Sequence, residues 1–304
     1  MKRKLVKQGG SVMTVSLPAK WIQQKNLNAG DEVEILEEKG YLTISSDTKA
    51  LEMKAEVTVK KPHRLISRTL FNLYRKGVTE IKVNYDDSSV IKDIQRRLPL
   101  MMGFEISDQG KNYVILQSIM RIDDSQFEQS MRRLFLITKS LAEESYDAIA
   151  TQKYDELDGI SELENVQNKF YMYCCRVVNV KGTSMFEKPT LLYLLIQRLE
   201  DIADDYKYVC RYLLELKDPK FKLSPETLKL YKNINTLFEK MYNLYYDFDI
   251  ETAKDIIEGK KAFIKKGLSL LEKVPKKEIR VVHVLNNLSV KIFEAASPIF
   301  GINL

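Results

Sequence analysis

From residue 123 to residue 304 the apolar residues recur with the 3.6-residue period of a helix, and helix breakers are scarce. The whole chain has 8 Pro and 12 Gly, and proline is nearly absent from long stretches of this half. Proline removes a backbone donor and clashes with the preceding turn, so its scarcity permits long helices. This half is therefore expected to be helical throughout. The pattern predicts helices over residues 125–149, 153–180 and 189–216. After a break at Lys217-Asp218-Pro219 it predicts three more, over 225–248, 251–273 and 277–300. Ser125 with Glu128 has the form of a capping box, and Ser224-Pro225-Glu226 opens the second set. The two trios, 123–217 and 224–304, read as antiparallel three-helix bundles and as a weak internal duplication. Opposite charges nearly cancel over this half.

Residues 52–120 change period. MKAEVTV and TEIKVNY read as strands, and HRLISRTLFNLYRKG and SSVIKDIQRRL as helices, the second starting at a serine cap. Gly77 ends the first helix. GFEISDQGKNYVIL reads as two strands around Gln109-Gly110. The order βαβαββ predicts a small sheet with both helices on one face.

Residues 1–47 read as short strands. Gly9-Gly10 is a turn signal before SVMTVSL, in which Met13, Val15 and Leu17 alternate with Thr14 and Ser16, as in a strand with one buried face. Pro18 stops that strand and opens the short helix AKWIQQKN. Asn28-Ala29-Gly30-Asp31 turns the chain, and EVEIL and YLTIS form a hairpin around Lys39-Gly40. A unit of about 45 residues without disulfide or metal rarely buries enough apolar surface alone, so this one is expected to dimerise by interleaving strands.

The charge is placed unevenly. Lys2, Arg3, Lys4, Lys7, Lys20 and Lys25 lie in the first thirty residues, which contain no Asp or Glu. The formal net charge is +6 from 48 Lys+Arg and 42 Asp+Glu, so these six account for all of it, leaving 42 of each sign beyond them. Cations without neighbouring carboxylates are free to neutralise phosphates and release counterions. Ser11, Thr14 and Ser16, read as sharing a small-residue strand face, can donate to phosphates or bases.

The stretch KQGGSVMTVSLPAKWIQQKNLNAGDEVEILEEKGYLTIS, with Leu17-Pro18-Ala19-Lys20 before a helix and Gly30-Asp31-Glu32-Val33 after it, resembles the swapped-hairpin DNA-binding domain of the AbrB, SpoVT and MazE type. The resemblance implies an interleaved homodimer that lays Lys2, Arg3, Lys4, Lys7, Ser11, Thr14, Ser16 and Lys20 on double-stranded DNA. The fold expected for the whole chain is multidomain α+β. It comprises a small swapped-hairpin β domain (1–47), a βαβαββ middle domain (52–120) and an all-α half of two three-helix bundles (123–304).

In LIQRLEDIADDYKYVCRYL, Glu200 with Asp204 and Asp201 with Asp205 are pairs four residues apart, sharing a helix face. Like charges at that spacing repel, and a cation or basic partner would relieve them. Arg198-Leu199-Glu200-Asp201-Ile202-Ala203-Asp204 resembles the acidic signature helix of the PhoU family, and ELENVQNKFYMYCCRVV resembles the second helix of its first repeat. The resemblance implies a surface metal site for iron, zinc or magnesium at Glu200, Asp201, Asp204 and Asp205, assisted by Asp158 and Glu162. The last helix departs from the pattern: it offers Glu294 but Pro298 four positions on, so the second site is expected to be lost.

Cys174, Cys175 and Cys210 read as reduced packing residues, and His63 and His283 as surface or packing residues. Arg64, Arg68 and Arg75 lie on an amphipathic helix with a solvated face, and Tyr171, Tyr173, Tyr242, Tyr245 and Tyr246 read as packing. No apolar run approaches a membrane span, and Gln8, Gly9 and Gly10 stand where a secretory signal would need an apolar core. A cytoplasmic location is expected. A swapped hairpin joined to a PhoU-like half is the architecture of archaeal PhoU-related regulators. It implies a homodimeric or higher-order transcriptional regulator of phosphate uptake, not an enzyme. The alternative is an adaptor that contacts a phosphate transporter's ATPase, with the N-terminal unit serving for assembly.

Overall fold

A computed structural model describes residues 1–38, 41–46, 53–61, 65–120, 124–218 and 220–304. The chain forms two compact units, Met1–Glu52 and Met53–Leu304. The predicted Lys39-Gly40 turn, His63, Arg64 and Pro219 lie outside the described residues.

In the first unit β1 (Val6–Lys7) pairs antiparallel with β2 (Met13–Thr14). Gly9 holds a φ of +77° in the turn between them, a conformation glycine adopts without steric cost. α1 (Ala19–Gln24) follows Pro18, as expected. The 28–31 turn is closed by the Asn28 amide donating to the Asp31 carboxylate at 2.7 Å. β3 (Glu34–Glu38) and β4 (Tyr41–Ser45) form the expected hairpin, with Ile35 opposite Ile44. The predicted buried face is absent within one chain. Regular strand covers only Met13 and Thr14, and Met13 and Val15 are 59% and 44% exposed. Ser11 lies in the turn, so it does not share a strand face with Thr14 and Ser16.

The second unit begins with a four-stranded sheet in the order β5-β6-β8-β7: β5 (Lys54–Val59), β6 (Glu80–Tyr85), β7 (Phe104–Gln109) and β8 (Tyr113–Ser118). β5 and β6 are parallel across α2 (Leu65–Lys76), and β8 runs antiparallel to both β6 and β7. α3 (Ser89–Arg97) carries the chain from β6 to β7. Val59, Ile81, Val83, Tyr85, Val114 and Leu116 form the buried strand face. The alternate residues carry ion pairs, Lys54–Glu80 at 3.1 Å and Lys82–Glu56 at 3.0 Å. Strand periodicity of two thus separates core from solvent, as expected. Asp87 caps α3 rather than a serine: its carboxylate accepts from the Ser89 amide at 2.8 Å, while the Ser88 side chain makes no cap bond.

The helices are α4 (Asp124–Ala150), α5 (Leu157–Ser161), α6 (Leu163–Lys181), α7 (Pro189–Leu216), α8 (Pro225–Tyr246), α9 (Ile250–Leu271) and α10 (Ile279–Asn303). The single helix expected over 153–180 is interrupted. A 3-10 turn at Tyr154–Glu156 and the short α5 precede α6, and the Ser161 hydroxyl bonds back to the Asp158 carbonyl at 2.8 Å. α4 already includes Ser125 in its first turn, so Ser125 is not the residue preceding the helix. Ser224 caps α8 as expected, accepting from the Thr227 amide. Within each trio the three helices touch one another, and the two trios share a core. Their third helices, α7 and α10, form the most extensive helix interface, their first helices also touch, and one continuous core runs through both. The three cysteines are free and buried, and burial pushes the Cys175 and Cys210 thiols up to about 12. Tyr242, Tyr245 and Tyr246 pack around Phe135 with ring centroids 5.1–5.9 Å from it, so the aromatic stripe is packing.

Candidate functional site

Two groups of residues carry the chemistry anticipated from the sequence, one in each unit. In the first unit Lys2, Arg3, Lys4, Lys7 and Lys20 are all exposed. None forms an ion pair within the chain among the described residues. Ser11 and Ser16 are exposed, while Thr14 is half-buried and donates to the Val6 carbonyl at 3.2 Å. Thr14 is therefore partly spent on holding the β1–β2 hairpin. In the first unit Leu5, Val6, Val12, Met13, Ile35 and Leu42 are more than half exposed. Six apolar side chains in water are a large apolar surface for so small a unit.

The acidic face of α7 is held by three cations, two from α7 itself and one from α10. Lys207 donates to Asp204 at 2.5 Å and to Glu164 of α6 at 2.8 Å. Lys291 of α10 pairs with Asp205 at 2.8 Å and donates to the Asp201 carbonyl at 3.0 Å. Arg198 bridges Asp201 at 3.3 Å and Glu294 of α10 at 3.1 Å. Glu294, which occupies the place of the second acidic signature, thus helps fasten α10 to α7. Burial opposes the charge on Lys207, but Asp204 and Glu164 outweigh it and hold the ammonium above its ordinary range. Burial pushes Glu164 and Asp205 up, against the pull of their lysines.

Glu200 differs from its neighbours. Its one hydrogen bond is accepted from the Gln197 amide at 3.1 Å. Burial, reinforced by Asp204, Asp201 and Glu164, pushes its carboxyl up to about 7. Asp158 and Glu162 are exposed on and just beyond α5, and Glu162 accepts from Asn165. They do not complete the α7 face; Glu164 does.

This arrangement does not fit a metal ion. Five carboxylates already share Lys207, Lys291 and Arg198, and an ion between Asp204 and Glu164 would have to displace a buried ammonium. Among the described residues no three His, Cys, Asp or Glu side chains converge on one ion. The repulsion read from the i,i+4 acids is relieved instead by the chain's own cations. Lys207 was readable three residues after Asp204, but Glu164 and Lys291 come from distant helices and had no local signal.

A further line of polar groups escaped the sequence reading. Arg75 of α2 donates to the Tyr171 hydroxyl at 2.6 Å, which donates to Gln197 at 2.8 Å, whose amide donates to Glu200. Arg68 is exposed on the same helix, as expected of a solvated face. No helix among the described residues is long and apolar enough to cross a membrane. Compared with family models, curated proteins and solved structures, the chain shows no significant match.

Proposed function

We propose that this protein is a homodimeric DNA-binding regulator whose first unit is completed by a second copy. The observation that carries the reading is the pairing of a large exposed apolar surface with five exposed cations that have no carboxylate partner among the described residues. A second copy would bury the apolar side chains. It would also double the cations on one surface, which suits a duplex carrying one phosphate per about 1.7 Å of axis. The resemblance to swapped-hairpin domains supports the same reading. The resemblance of α7 to the PhoU signature supports a sensing or effector role for the helical half in phosphate control, with its acids serving as an ion-paired lattice.

The test is fluorescence anisotropy of the full chain with duplex DNA, including its own upstream region, across a salt series. The logarithm of affinity should fall linearly with the logarithm of salt, at about 0.9 per phosphate contact. Charge reversal at Arg3 and Lys7 in both copies should lower that slope by about 3 to 4. A protein that dimerises but shows no DNA affinity at low salt would instead be an adaptor acting through protein contacts.

A further inference from the structure

An open cleft of about 390 Å³ lies where the C-terminal end of α2 meets α6 and α7. It is lined by Asn72, Arg75, Lys76, Asn179 and Tyr193. Every one of these side chains can donate a hydrogen bond, two are cations, and none is an acid. None of the ion pairs among the described residues uses Arg75 or Lys76. Arg75 spends one end of its guanidinium on the Tyr171 hydroxyl and the other on the Asn72 side-chain oxygen, at 2.6 Å each. Its Nε is buried and without a hydrogen-bond partner. The Arg75 charge therefore sits among neutral oxygens only.

We propose that this cleft binds a small oxyanion of the phosphate class, as free phosphate or as the phosphoryl group of a metabolite. A planar guanidinium is the side chain best matched to such an anion, and a lysine supplies a second point charge. The guanidinium is also preorganised, which lowers the entropy lost on binding. Tyr171 is 5% exposed and is fixed by its bond to Gln197, so it holds Arg75 in one position. Asn179 donates to the Arg75 carbonyl at 2.8 Å and ties α6 to the end of α2. The anion takes its donors from Lys76 and from the second N–H of each Arg75 terminal nitrogen. The cleft residues all lie in Met53–Leu304, so the site stands or falls independently of DNA binding by the first unit.

The experiment is isothermal titration of the full-length protein with inorganic phosphate and, in a second arm, with a phosphomonoester, at constant ionic strength. Saturable binding of one ligand per chain is expected, and the arm with the higher affinity identifies the source. Lys76→Ala, an exposed change, should weaken binding about tenfold, as loss of one charge-assisted contact does. Arg75→Gln should abolish binding. Lys76→Glu, which places a carboxylate at the rim, should abolish it too, and this keeps the test valid should Arg75→Gln fail to fold. Absence of saturable binding by the wild-type chain in both arms would overturn the proposal, as would undiminished affinity in the Lys76 variants.

Discussion

Residues Met1–Glu52 and Met53–Leu304 meet the need for burial in opposite ways. In the second, one core runs from the inner face of the sheet through six long helices, and Ile81, Leu134, Ile202 and Leu285 are wholly excluded from solvent. In the first, Leu5, Val6, Val12, Met13, Ile35 and Leu42 are more than half exposed. Sequence length explains much of the difference, since a short chain encloses too little volume to repay its conformational entropy. In the first unit Lys2, Arg3, Lys4, Lys7 and Lys20 carry no ion pair among the described residues. The helical region shows the reverse on α7, where Lys207, Lys291 and Arg198 meet Asp201, Asp204 and Asp205.

The sharpest way to break this contrast is to separate the units. An isolated 1–52 fragment should show no cooperative unfolding when dilute and should gain structure with second-order concentration dependence. The 53–304 fragment should unfold cooperatively at any concentration. Circular dichroism during thermal scans at several concentrations checks both. Within the second unit, Lys207→Met should cost about 3–5 kcal/mol, because it strands Glu164 and Asp204 without their cation. Adding Glu164→Gln should recover part of that loss in urea denaturation. Arg176→Met should cost about 3 kcal/mol, since two backbone carbonyls lose a charged donor.

Glu200 gives a pH signature. Its folded carboxyl sits at about 7, above the ordinary carboxylate value, so the folded chain holds a proton that the unfolded chain releases. Stability from this group is present below pH 4.5 and lost as pH rises through 7. Glu200→Gln should therefore raise the melting temperature at pH 8, change it little at pH 4, and flatten the slope between. The smallest effect is expected on the outer sheet face, where Lys54→Ala removes an exposed ion pair and should cost less than about 1 kcal/mol.

The helices were legible because their signals are local. Residues 189–216 begin with Pro189 in the first turn and end where Lys217 takes a left-handed φ of 46°, and the predicted and observed bounds of α7 coincide. The sheet strands were legible from alternation, and Gly77 from the positive φ of +100° that ends α2. What was not legible depended on distant partners. Glu200 and Asp204 could be placed on one face by spacing alone. That Lys291, ninety residues beyond Asp201, reaches that face depends on how α10 crosses α7. The shared core of the two trios was hidden for the same reason: period shows which stripe of a helix is apolar, but not which other stripe covers it. Arg75 read as a solvated cation because its tyrosine partner lies 96 positions away.

Arg176 lies 4% exposed on α6, with its guanidinium donating to the Tyr74 and Val78 carbonyls at 2.6 and 2.8 Å and resting over the rings of Tyr74 and Phe104. Burial lowers its proton affinity, yet a guanidinium keeps its charge across the biological range. No ordinary change in acidity or salt therefore loosens this joint. Arg176 thus bolts α6 to the end of α2 and to the chain leading into β6, as a bracket fixed at two points.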